Sequence, residues 1–222
     1  MCGRFVIVIP AEELKAIFDL IENPKMEARY NVAPTQYAGV IRPGVDDTHN
    51  RFDQLKWGLI PSWSKDPSIA SHMINARSET IAEKPSFRHA IKLKRCIVPV
   101  SGFYEWSHTG GAKTPFYIHM ADQKPMSFAG VWENWKSPDG QEIESFSILT
   151  TASNRLIQPL HDRMPVILEP SDYDLWLSRD MHDPHALTHL YEPFPEDKIM
   201  LHEVPSLVNN PRFDSPACIA RV

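Results

Sequence analysis

Between Pro10 and Glu22 the apolar positions Leu14, Ile17, Phe18 and Ile21 recur at intervals of three and four, the spacing of one face of an α-helix. Pro10 suits the first helical position, where its missing N–H costs nothing. Glu12 and Glu13 suit the positive end of the helix dipole, and Asn23-Pro24 supplies a stop. Shorter helices are expected from Asp172 to Ser178, following Ser171, and after Asp183-Pro184 with Asp183 as the N-cap. The other apolar runs are short and bounded by turn residues, which predicts strands at Tyr37–Ile41, Phe52–Leu59, Arg95–Val100, Gly102–Ser107, Pro115–His119, Met126–Trp132, Ser145–Thr151 and Pro165–Leu168. Turns are expected at Gly110-Gly111 and at Ser137-Pro138-Asp139-Gly140. Close spacing with tight turns favours antiparallel pairing. The expected fold class is α+β: curved, largely antiparallel, barrel-like sheets with short peripheral helices.

Composition narrows this picture. Twenty prolines scattered over 222 residues argue against long uninterrupted helices. No Gly/Ser linker, repeat or low-complexity tract divides the chain, so residues 1–222 read as one domain, large enough to bury a core without disulfides. The three cysteines, Cys2, Cys96 and Cys218, are odd in number, far apart and free of any CxxC pair. That argues against a disulfide framework and a cysteine-built zinc site, and for a reducing compartment. No metal and no other cofactor is expected. The apolar stretch Phe5 to Ile9 is too short for a signal sequence, and no segment approaches a membrane span; a soluble, cytoplasmic protein is expected. The net charge of −5 counts against a nucleic-acid partner. Its distribution is less hostile: six bases face two acids between Arg77 and Arg95, while nine acids face two bases between Glu169 and Glu203.

The candidate chemistry begins at Cys2. Cysteine is small enough to permit removal of the preceding methionine, and Cys2 would then carry an α-amine and a thiol on adjacent carbons. With ordinary pKa values of about 7.7–8.0 and 8.5, both are nucleophilic near neutrality. The amine can form an imine with an aldehyde, and the thiol can close onto the imine carbon to give a thiazolidine. Alternatively, the cysteine is incidental.

Other positions carry similar pairs of readings. Glu105 lies between Tyr104 and Trp106, so alternation points it to the opposite strand face; buried there, it would be a general acid or base, and exposed, an ordinary carboxylate. His161 opens the turn His161-Asp162-Arg163 and could shuttle protons or merely bond the backbone. Asn75 could polarise an oxygen or shape a turn. Arg77 and Arg163 could hold phosphates or make structural ion pairs. Trp63 could stack on a base or be buried.

Taken together, Cys2-Gly3-Arg4-Phe5, Tyr30 to Pro34, Trp57 to Trp63, Asn75 to Glu79, Gly102 to Trp106 and His161 to Pro165 resemble the SOS-response-associated peptidase (SRAP) family of abasic-site processing proteins, bacterial type, from Cys2 to about Leu207. The resemblance implies a covalent thiazolidine crosslink between Cys2 and an abasic site in single-stranded DNA, after self-removal of Met1, which shields the lesion from strand cleavage. It implies that Cys2, Asn75, Glu105 and His161 surround the sugar, that Arg4, Arg77 and Arg163 hold flanking phosphates, and that Pro34 and Trp63 wedge or stack at the lesion. Some relatives carry a second aromatic beside this tryptophan; here Ser62 and Ser64 flank Trp63. A monomer, nucleoid-associated when bound to DNA, is expected, with replication-fork proteins as further partners. The rivals are an N-terminal-nucleophile amidotransferase, whose usual His-Asn-Gly and Arg-Trp-Ala-Thr segments are missing, a general thiol protease, and a non-covalent single-stranded DNA module.

Overall fold

The computed structural model describes residues 2–44, 48–108 and 113–222. In chain order the elements are β1 (Phe5–Ile7), α1 (Ala11–Phe18), β2 (Arg29–Val32), β3 (Tyr37–Pro43), β4 (Asn50–Trp57), β5 (Asn75–Arg77), α2 (Ala90–Leu93), β6 (Arg95–Val100) and β7 (Gly102–Ser107). There follow β8 (Thr114–Met120), β9 (Met126–Lys136), β10 (Glu142–Ala152), β11 (Arg163–Pro165), α3 (Tyr173–Leu177) and β12 (Ile199–Glu203), with short 3-10 turns between them.

Five strands close on themselves in the order β10-β4-β3-β6-β9, with β9 returning to β10. β6 and β7 span their expected limits, and β3, β4, β8, β9 and β10 overlap theirs. The pairing is mixed: β10 runs parallel to both β4 and β5, which tight hairpins alone do not produce. β5 and β11 extend the barrel at the C-terminal end of β10. A second, antiparallel sheet has the order β12-β8-β7-β1-β2. The Ser137–Gly140 turn joins β9 to β10, with Gly140 at φ 90° and the Gln141 amide bonded to Ser137 Oγ. Gly110-Gly111 lies outside the described residues.

Both faces of the second sheet are apolar. Phe5, Phe103 and Ile118 join the barrel core, while Val6, Tyr104 and Tyr117 pack against Val204, Val208 and Cys218 near the C-terminus. Phe5 meets Trp57 at the end of β4, ring centroids 4.6 Å apart, so the N-terminal strand is docked on the barrel. Burying two large aromatic rings there supplies a large hydrophobic contribution at the junction.

The first helix is one turn shorter than its apolar spacing predicts. Asp19 adopts a left-handed conformation (φ 51°) and donates its N–H to Lys15 O. Asn50 Nδ2 bonds Phe18 O at 2.9 Å, and Leu20 bridges to Asn50, so contacts with β4 take over the last turn. Leu14 and Phe18 are buried while Ile21 is exposed. α3 falls within its expected span. Asp183 does cap the next segment, bonding the His185 amide at 2.9 Å, but Pro184–Tyr191 is a 3-10 helix. No helix among the described residues is long and apolar enough to cross a membrane.

Gly58 shows how tightly the end of β4 is built. Its φ is +119°, and an added Cβ would lie 2.4 Å from Ala70 O. Gly58→Ala is expected to cost about 2–3 kcal/mol, combining disfavoured backbone with a clash against a carbonyl; an unchanged urea midpoint would contradict this.

Candidate active site

The segment before β1 continues along β7. Phe5 pairs with Phe103, and the Tyr104 amide bonds Arg4 O at 3.0 Å. Cys2, two residues further out, is completely buried. Asn75, the first residue of β5, donates from Nδ2 to Cys2 O at 2.9 Å. β5 is fixed by pairing with β10 (Asn75 opposite Ile148) and by the Trp57 indole N–H, which bonds Ile74 O at 2.9 Å. Asn75 Oδ1 is buried and accepts no hydrogen bond from the protein. It is a ready acceptor for a hydroxyl or ammonium group.

Glu105 obeys the alternation of β7. Tyr104 and Trp106 face the second cluster, and Glu105 takes the other face, 3% exposed. Burial raises its carboxyl above the ordinary carboxylate range, and Asp162 adds to the effect. Burial also pushes the Cys2 thiol up, helped by Glu105. A neutral thiol and a readily protonated carboxyl therefore lie within electrostatic reach of one another.

His161 is held by its backbone N–H to Ile157 O at 3.0 Å, and partial burial lowers its imidazole below the usual range. Its turn leads into β11, where Arg163 pairs with Ala152 of β10; on the opposite flank, β5 places Arg77 against Thr150. Cys2, Asn75, Glu105 and the His161 turn thus converge where the chain start and β7 meet β5, β10 and β11.

The arginines differ. Arg77 is exposed. Arg163 is engaged: its two Nη atoms bind both oxygens of Glu79, the Nη2–Oε2 pair at 2.9 Å, and Nη2 also donates to Thr150 O at 2.6 Å. A phosphate at Arg163 must compete with Glu79. Arg4 lies on the face with Tyr104, away from Glu105. Its Nη1 donates to Asn31 Oδ1 at 2.7 Å and Val208 O at 2.8 Å, so it ties the chain start to the C-terminal segment. Of the bases from Arg77 to Arg95, Arg95 is buried among backbone carbonyls and Lys94 pairs with Glu133. Arg77, Lys84, Arg88 and Lys92 remain exposed.

Pro34 is half-buried in a turn where Thr35 has φ 72° and bonds Trp57 O at 2.8 Å. Trp63 is 59% exposed on a well-anchored loop: the Ser64 amide bonds Pro61 O at 2.9 Å, and the Trp135 indole bonds Ser64 O at 2.7 Å. A large aromatic surface held out by a fixed loop offers a stacking platform. Glu79 and Asp162 escaped the sequence reading as partners of Arg163 and His161. Glu79 lies 84 residues from Arg163 and gives no spacing signal; adjacency in His161-Asp162 was the available clue.

Residues 1–211 match the family described as SOS response associated peptidase (SRAP). The abasic site processing protein YoqW of Bacillus subtilis (strain 168) is 39% identical over 223 residues, covering 99% of each chain. The abasic site processing protein HMCES of Xenopus tropicalis is 29% identical over 230 residues, 90% of this chain and 68% of that one. A crystal structure of a protein from Bacteroides thetaiotaomicron is similar with a TM-score of 0.87 and 30% identity over 100% of both chains.

Proposed function

The chain belongs to the SOS response associated peptidase family, and from that premise we propose that it processes abasic sites in single-stranded DNA by linking them covalently to Cys2. The observation that carries this reading is the buried convergence of Cys2, Asn75 and Glu105 at the start of the chain. Self-removal of Met1 frees the Cys2 amine. The amine attacks the open aldehyde of the deoxyribose, and the carbinolamine loses water to give an imine. Glu105, whose carboxyl burial makes easier to protonate, donates the proton that lets water leave. The thiol then adds across the C=N bond: sulfur bonds carbon, and its proton passes through Glu105 to nitrogen. Asn75 Oδ1 accepts the hydroxyl hydrogen of the opened sugar. His161 shares the proton traffic.

Arg77 and the exposed bases beyond it supply salt-dependent, sequence-independent attraction. Arg163 joins them once a phosphate displaces Glu79, while Arg4 steadies the reacting strand. Trp63 stacks on a neighbouring base and Pro34 wedges into the gap. A lesion lacking a base offers no base edge to read, and a single strand lets the amine reach C1′. The chain acts as a monomeric single domain in the cytoplasm, at the nucleoid when bound, near replication-fork proteins.

Intact mass spectrometry tests the reading. Protein beginning at Cys2, mixed with a uracil-excised oligonucleotide, is expected to gain the oligonucleotide's mass less one water. Protein confirmed to begin at Cys2 that stays wholly unmodified would rule the proposal out.

A further inference from the structure

The Arg163 fork is already filled by an anion of the chain's own. Both oxygens of Glu79 accept from its Nη atoms, and Nη2 also donates to Thr150 O. A carboxylate gripped at two points presents the same pair of acceptors as two oxygens of a phosphate. Arg163 holds the Glu79 carboxyl below the ordinary carboxylate range, and Arg77 adds to the effect, so a charged carboxylate lies in the field of both guanidinium groups. The strands set this placement. Arg77 lies opposite Thr150 and Arg163 opposite Ala152, on the two flanks of β10. Glu79, in the 3-10 turn Ser78–Thr80 that follows β5, reaches across to Arg163. Asn75, whose Nδ2 bonds Cys2 O, comes four residues before Glu79, a span of at most about 14 Å of chain.

The two members of the pair are unequal. The Arg163 side chain is 11% exposed and is tied to Thr150 O as well. The Glu79 side chain is 53% exposed and borders a cavity of about 480 Å³, lined also by Thr151, His185 and Thr188. The guanidinium is the fixed member, and the carboxylate has room to leave.

On the reading that the chain engages single-stranded DNA, we propose that Glu79 is the resident occupant of a phosphate site and lowers the affinity for undamaged strands: its carboxylate fills the Arg163 fork in the free protein and gives way to a backbone phosphate of the bound strand. No covalent bond changes in this exchange. Two N–H···O contacts pass from a carboxylate to a phosphate, and the released Glu79 faces the strand as a like charge. The cost is the same for damaged and undamaged strands, because a phosphate carries no information about its base. Only a lesion recovers that cost, through the bond to Cys2. Glu79 thus keeps the protein from being held by undamaged single strands, which Arg77 and the exposed bases beyond it attract without regard to sequence.

The test is the affinity of the native chain, Glu79→Gln and Glu83→Gln for a fluorescent, undamaged single-stranded oligonucleotide, read by anisotropy across a salt series, with thermal unfolding showing that each variant is folded. Glu83→Gln removes the same charge from an exposed position outside the fork. Glu79→Gln is expected to bind about fivefold more tightly, the size of one exposed ion pair that no longer has to be broken. Its log K should also fall more steeply with log[salt], by about 0.7, since no freed carboxylate takes up a cation in exchange for those released from the strand. Glu83→Gln is expected to change the affinity by less than about twofold, as a screened surface charge does. An equal gain in both variants would overturn the proposal, because net charge alone would account for it. An unchanged affinity in Glu79→Gln would overturn it too, as would weaker binding, the result expected if Glu79 serves only to hold Arg163 in place. Crosslinking to a uracil-excised oligonucleotide is measured alongside. If the native chain forms no crosslink while the affinities order as stated, the covalent reading fails and the assignment of Glu79 stands; if it crosslinks and the affinities do not change, the assignment alone fails.

Discussion

Cys2→Ala, prepared without Met1, is expected to bind lesion-bearing single-stranded DNA and to leave no product that survives denaturation. Alanine keeps the α-amine, so the imine can still form. It lacks the thiol, so the ring cannot close. An imine hydrolyses under denaturing conditions, and while it lasts it is an electron sink for β-elimination. The variant should therefore break the strand more often than the native chain. Borohydride should trap its imine as a stable amine. The loss is not one of folding: deleting a single buried heavy atom costs on the order of 1 kcal/mol, and Cys2 precedes the first strand. A denaturing gel of variant and native protein on the same oligonucleotide decides the matter. A heat-stable adduct from Cys2→Ala without borohydride would remove the thiol from the chemistry.

The expected difference between native and variant products turns on what a buried thiol contributes. Burial and Glu105 keep the Cys2 sulfur protonated, which guards it against oxidation in the free protein. In the proposed reaction it becomes a nucleophile when a neighbouring base takes its proton. There Glu105 does this after it has given up its own proton to the departing water, which puts the amine's attack before the thiol's.

What the sequence made readable was local. β6 and β7 lie between turn residues and appear with their expected limits. Alternation along β7 correctly sent Glu105 to the face opposite Tyr104. β1, β2, β5 and β12 lie in stretches to which the pattern assigns no element; they are three to five residues long, too short to display a period. The parallel pairing of β10 with β4 and β5 joins distant segments. The truncation of α1 depends on Asn50, a residue of another strand. At the site, the residue types were readable and their partners were not. Arg4 finds Asn31 and Val208, and Arg163 finds Glu79. Both engagements are products of tertiary structure, and both change what those guanidinium groups can offer to a phosphate.

Glu105→Gln is expected to slow crosslinking by about 10²-fold, the lower range of what a positioned acid–base group contributes, and to make the protein more stable at neutral pH. The two effects share one cause. Burial raises the Glu105 pKa in the folded state above its unfolded value of about 4.3. The stability associated with the protonated side chain is then fully present below that unfolded value and is lost as pH rises through the folded pKa. Glutamine is neutral throughout and escapes this loss. The gap in melting temperature between variant and native protein should therefore be small near pH 4, widen as pH rises through the folded pKa and level off above it, at about 2–4 °C for each kcal/mol in a chain of this size. The variant's crosslinking rate should also lose whatever pH dependence Glu105 imposes. A native-like rate would take Glu105 out of the proton transfers. A melting-temperature gap that does not change with pH would mean that the buried carboxyl carries no such penalty. If both expected effects appear, the carboxyl costs the fold stability at the pH where the cell needs its acidity, as expected of a group kept for chemistry.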